Sequence, residues 1–191
     1  MAESKQQETI KVYVGDMASL ESHIEEVMDR QVDLVKPHPK AAALVNKLHA
    51  TSKMHRDALK AHLESMGGSS GSPIKAAVAA AAGVAAGIID KVRPEAVSKA
   101  IRDDYTAINH ATIGYTMLHA TALMLKDQAT ASLAERHIRD YTSHIEGINQ
   151  IIADVVAYDL KNDGIPVDDS IVKQTTEKVN QIWHQTEPSV R

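Results

Sequence analysis

Apolar residues recur along this chain in alternating steps of three and four, and four separate segments carry such a stripe. In 14–35 it is Val14, Met17, Glu21, Ile24, Met28, Gln31 and Val35; in 40–66 it is Leu44, Leu48, Thr51, His55, Ala58, His62 and Met66. In 94–125 the same spacing picks out Val97, Ile101, Asp104, Ile108, Ala111, Tyr115, Leu118, Ala122 and Leu125. In 131–160 it picks out Ala134, Ile138, Tyr141, Ile145, Ile148, Ile152 and Val155. Steps of three and four follow a 3.6-residue turn, so each segment is predicted to be an amphipathic helix. A shorter fifth helix is predicted in 167–185. Asp168, Asp169 and Ser170 cap it, and Ile171, Thr175, Val179 and Ile182 lie on one face. Residues 1–12 read as a polar tail.

The breaks between stripes predict the connections. Pro37-His38-Pro39 cannot continue a helix, and Gly67-Gly68 ends the second one. Residues 127–130 make a tight turn with capping side chains, and Pro94 suits the first turn of the third helix. Two short loops thus define two antiparallel hairpins. Between them, 69–93 is long enough to recross the bundle, which is ferritin-like connectivity. This crossover opens on a Gly/Ser connector and holds an Ala-rich stretch, 74–89, predicted as a short helix. Gly83 and Gly87 would let it pack closely on its own bundle, a second subunit or a protein partner. The expectation is therefore an all-α protein: one domain over 1–191, a ferritin-like four-helix bundle with a crossover and a fifth helix.

Composition agrees and narrows the function classes. There is no Phe, one Trp and five Tyr, so the core is built from aliphatic and small side chains that favour helix over strand. A net charge of -4 without a basic run argues against a nucleic-acid binder. The absence of Cys excludes disulfides and thiol catalysis. No segment is apolar and long enough for a membrane span, and 1–8 lacks the apolar region of a signal peptide. A cytoplasmic location is the resulting expectation.

The candidate chemistry lies in polar residues on the stripes. Buried ionisable groups cost several kcal/mol unless paired, hydrogen-bonded or metal-bound. Counted from the hairpin turns, Glu21 and His55 fall at one level, and His110 and His144 at another. His62, His119 and His137 gather nearer the turn at 127–130. His137, Asp140 and His144 share a flank of the fourth helix. Glu21, His55, His110, His137, Asp140 and His144 form the candidate metal set, with His62 and His119 as further members. A His-rich set suits zinc, copper or nickel better than a di-iron centre, which draws on Glu and Glu-x-x-His. The competing expectation is a hydrogen-bonded polar core without metal. His23, His38, His49 and His184 are expected at the surface.

Three stretches resemble a known family: 13–24 with Ser19-Leu20-Glu21, 58–68, and Ile113-Gly114-Tyr115-Thr116-Met117-Leu118 ahead of Asp127-Gln128-Ala129-Thr130. Over about 12–160 the chain looks like the bacterial ferritin-like stress-protein family typified by YciE and YciF. The resemblance implies a bundle that is often dimeric, a general stress setting and a di-metal site. Of that family's Glu ligands Glu21 carries over, the second-helix position holds His55, and the third-helix position falls at His110 or Ala111.

Together these readings predict a stress-associated binding or structural protein with a degenerate core site, not a turnover enzyme. The alternatives are an iron or zinc metalloprotein with ferroxidase- or peroxide-related chemistry, and a scaffold docking through the crossover. No catalytic residue and no certain cofactor is assigned. A homo-oligomer, dimer or larger, is expected, through the first two helices or the crossover.

Overall fold

The computed structural model describes residues 2–68 and 96–185, which form five helices and no strand. They are α1 (Ala2–Val35), α2 (Pro39–Ser65), α3 (Val97–Met124), α4 (Gln128–Asn162) and α5 (Ser170–Gln185). The predicted crossover helix at 74–89, with Gly83 and Gly87, and Pro94 lie outside the described residues. Among the described residues no helix is long and apolar enough to cross a membrane.

α1 pairs with α2 and α3 with α4 as antiparallel hairpins. Across the bundle α1 lies against α3 and α2 against α4, while α5 packs on α4. His62 near the end of α2 meets Thr130 beside the α3–α4 turn, whereas the start of α3 meets Asp159 near the end of α4. The end of α2 and the start of α3 are therefore at opposite ends of the bundle.

Local chemistry sets the ends. His38 caps α2: its Nδ1 accepts from the Ala41 amide at 3.1 Å, with Pro39 opening the helix. Asp127 caps α4 by accepting from the Thr130 amide at 3.0 Å and its hydroxyl at 2.7 Å. α2 closes through Gly67 at φ 73°, a left-handed conformation that glycine adopts without strain. The start of α3 has no capping side chain of its own. Asp159 reaches over from α4 and accepts from the Val97 and Ser98 amides at 3.1 and 2.8 Å.

The predicted stripes of α1 and α3 face the core, including Glu21, Gln31 and Asp104; only Leu125 at the end of α3 is partly exposed. Four expectations are corrected. The tail proves helical from Ala2, and Ile10 within it is buried in the core. On α2 the buried line is Ala41, Val45, Leu48, Ser52, His55, Leu59 and Leu63, so Thr51 and His62 sit on its flank toward α4. On α5 Ile171 is exposed and Val172 and Thr176 turn inward, one position further on. His38, expected at the surface, is buried against Tyr158, with its Nε2 3.6 Å from Asp154. The shifts on α2 and α5 have one cause. A stripe fixes an apolar arc, but which side of the arc is buried depends on where the neighbouring helices lie.

Buried alanines (Ala18, Ala41, Ala107, Ala111 and Ala134) let the helices approach closely. Gly114 marks the tightest place between α1 and α3. A Cβ there would come within 2.6 Å of the Met17 sulfur.

Candidate polar core site

Glu21 is fully buried at the middle of the bundle and collects donors from all three other main helices. Its Oε1 accepts from the Tyr115 hydroxyl at 2.5 Å and lies 3.2 Å from His55 Nδ1. Its Oε2 accepts from Ser52 Oγ at 2.6 Å and from the Tyr141 hydroxyl. A carboxylate offers about four lone-pair sites, so these four donors occupy them all. Removing a carboxylate from water costs several kcal/mol, which such a complete set of charge-assisted hydrogen bonds offsets.

His55 continues the network. Its Nε2 lies 3.0 Å from Oδ2 of Asp140, whose side chain is 43% exposed, and this is where the network reaches water. The ring thus bridges two carboxylates, one nitrogen to each. His137 stacks on it at 3.7 Å between ring centroids, 15° from parallel. Burial first, and then the neighbouring His55 and Arg136, push His137 down to about 3, so it is a neutral ring stacked on His55. Tyr115 and Tyr141 meet the imidazole of His55 edge-on. Burial and the Glu21 charge raise both phenols well above their usual range, which keeps them as neutral donors.

The other histidines divide. His144 is buried, with Nε2 2.9 Å from Thr51 Oγ1. Burial, aided by Lys47, lowers it to about 4. His62 pairs with Thr130 at 2.7 Å, and His119 donates to the Ala131 carbonyl at 2.9 Å. His137 therefore stands with His55 and not with His62 and His119. His110, placed in the metal set and levelled with His144, is exposed on the outside of α3. It precedes the buried Ala111 by one residue, and one residue turns a helix by about 100°. The structure thus brings Glu21, His55, His137 and Asp140 together, keeps His144 beside them, and leaves His110 out.

A second polar pair lies nearer the α1–α2 turn. Asp104 and Gln31 are buried, and none of their side-chain oxygens or nitrogens reaches hydrogen-bond geometry. Burial pushes Asp104 up to about 8, although the adjacent Gln31 amide partly opposes this. It is a neutral acid at moderate pH.

The resemblance implies a di-metal site, and the donors do not fit one. Every lone pair of Glu21 already serves a hydroxyl or imidazole, and both nitrogens of His55 are engaged. Among the described residues no three His, Asp or Glu side chains converge on one point. Sequence reasoning placed Tyr115 and Tyr141 on the stripes but missed their role, together with that of Ser52. The signal was present. A chain with no Phe that still places two Tyr in its core is using their hydroxyls, and Glu21 is the acceptor at their level. No protein-family model, curated protein or solved structure matches this chain.

Proposed function

We propose that this is a cytoplasmic, ferritin-like bundle with a stress-associated binding or structural role, and that its central site is a structural hydrogen-bonded network instead of a metal-dependent reaction centre. One observation carries the reading of the centre: the occupation of the Glu21 lone pairs by Tyr115, Tyr141, Ser52 and His55. The placement of the end of α2 and the start of α3 at opposite ends of the bundle supports the ferritin-like assignment. Loading metal would require Glu21 to give up hydroxyl donors in a close-packed interior, leaving buried phenols unpaired at about 1–3 kcal/mol each. The network instead ties all four main helices to one buried carboxylate.

The test is direct. Protein purified without a histidine tag is analysed for bound metal, then given ferrous iron without oxygen and exposed to air. The expected result is substoichiometric metal and no rapid oxidation. Stoichiometric iron, or oxygen consumption over several turnovers that Glu21→Ala abolishes, would establish the metalloprotein reading in its place.

A further inference from the structure

The helix α3 carries a second seam, on its outside. Thr106, His110, Ile113, Met117, Ala120 and Met124 follow steps of four, three, four, three and four. They form the face opposite the buried line through Asp104, Ile108, Ala111, Tyr115, Leu118 and Ala122. Ile113 is 62% exposed, Met117 52% and Met124 81%. Single exposed apolar residues are ordinary, whereas a contiguous apolar strip at heptad spacing is what a helix offers another helix. The neighbours α1 and α4 cover the flanks of α3, and α5 lies on α4.

Charge sharpens the point. Between Asp104 and Lys126 there is no Asp, Glu, Lys or Arg, although such residues make up 24% of the chain. A face meant for water would hold several. With a net charge of -4, two copies repel one another in general, and this strip is where they can meet without opposing like charges.

We infer that α3 docks antiparallel on α3 of a second copy, about a two-fold axis at the level of Tyr115. The spacing of the seam reads the same in both directions, which an isologous contact requires. In that register Ile113 meets Met117 of the second copy, the large His110 meets the small Ala120, and Thr106 meets Met124. Large side chains face small ones or a partner of similar size, and nothing charged is buried. The seam is about 27 Å long on a helix about 10 Å across, widened by the exposed Leu123. That is well below the ~800 Å² per partner of a standard interface, so the dimer is of the weak, transient kind. The contact lies on the outside of the bundle, and it stands or falls independently of the metal content of the centre.

Sedimentation of the parent from about 5 to 200 µM is expected to show a monomer–dimer equilibrium in this range. Met117→Glu and Ile113→Glu each place two like charges beside the axis and are expected to weaken it at least about a hundredfold, with helical circular dichroism unchanged. The chain has no Cys, so register can be read with single-cysteine variants and a short bismaleimide. A mixture of His110→Cys and Ala120→Cys should cross-link, while each alone should not, because like positions lie about 15 Å apart along the axis. Three results would overturn the inference: a dimer that both Glu variants leave intact; cross-linking of His110→Cys with itself; or a parent that stays monomeric. If that monomer also protects the 110–124 amides from exchange, another part of the chain covers the seam.

Discussion

Replacing Asp104 by Asn should stabilise this protein at neutral pH, although the position is fully buried. The folded chain holds the Asp104 carboxyl near 8, against an ordinary 3.8. A group raised on folding contributes stability that is complete below the unfolded value and is lost as pH rises toward the folded one. Each pH unit in that window corresponds to about 1.4 kcal/mol. From about pH 4 to pH 7 the loss reaches about 4 kcal/mol, less whatever the interior recovers by relaxing around the charge. Asn has the same shape, carries no charge and can bond the Gln31 amide, so it removes this loss.

Two histidines act in the opposite direction. His137 and His144 fall from 6.5 to about 3 and about 4 on folding, so the unfolded chain takes up their protons first as pH drops below about 6.5. Below that value the two histidines lose stability while Asp104, joined at lower pH by the desolvated Asp16, gains; above it the loss at Asp104 dominates. The parent should therefore be most stable near pH ~6.5 and fall away on both sides. Urea unfolding followed by circular dichroism from about pH 4 to 8 measures this. Asp104→Asn should flatten the alkaline side and gain about 2–4 kcal/mol at pH 7, with little gain at pH 4. A variant that is neutral or destabilised at both ends would refute the reasoning, because Asp104 would then be ionised and well partnered.

Other expectations follow from the same network. Tyr115→Phe and Tyr141→Phe each remove one hydroxyl donor from Glu21 at unchanged shape, costing about 1.5–3 kcal/mol and lowering Tm by roughly 3–10 °C. The double variant should deviate from additivity because both act on one carboxylate, and a calorimetric shift under one degree in either single variant would mean that the hydroxyl is not needed. Asp159→Ala should cost about 1–2 kcal/mol and loosen the first turn of α3, read as faster amide exchange at residues 97 and 98; unchanged exchange would locate the cap elsewhere. His137→Phe keeps a ring on His55 but removes a site that the unfolded chain protonates, so it should shallow the acid side of the stability curve; an unaltered slope would show that His137 is protonated in the fold.

The sequence by itself determined the helices, their pairing and most of the core. Spacing of three and four is a local property, and Val14 to Val35 and Val97 to Ala122 each read out a buried line that the fold preserves. Glu21, His55 and Asp104 could be named as buried for the same reason, and counting from the turns placed Glu21 opposite His55. The tertiary structure decided what those groups do. Whether Glu21 serves a metal or a set of hydroxyls depends on which side chains of α2, α3 and α4 point at it. That depends on helix rotation, and a rotation of one residue separates the buried Ala111 from the exposed His110. The cap of α3 by Asp159 joins residues about sixty positions apart. Periodicity carries phase along one helix, but it carries no information about the angle between two.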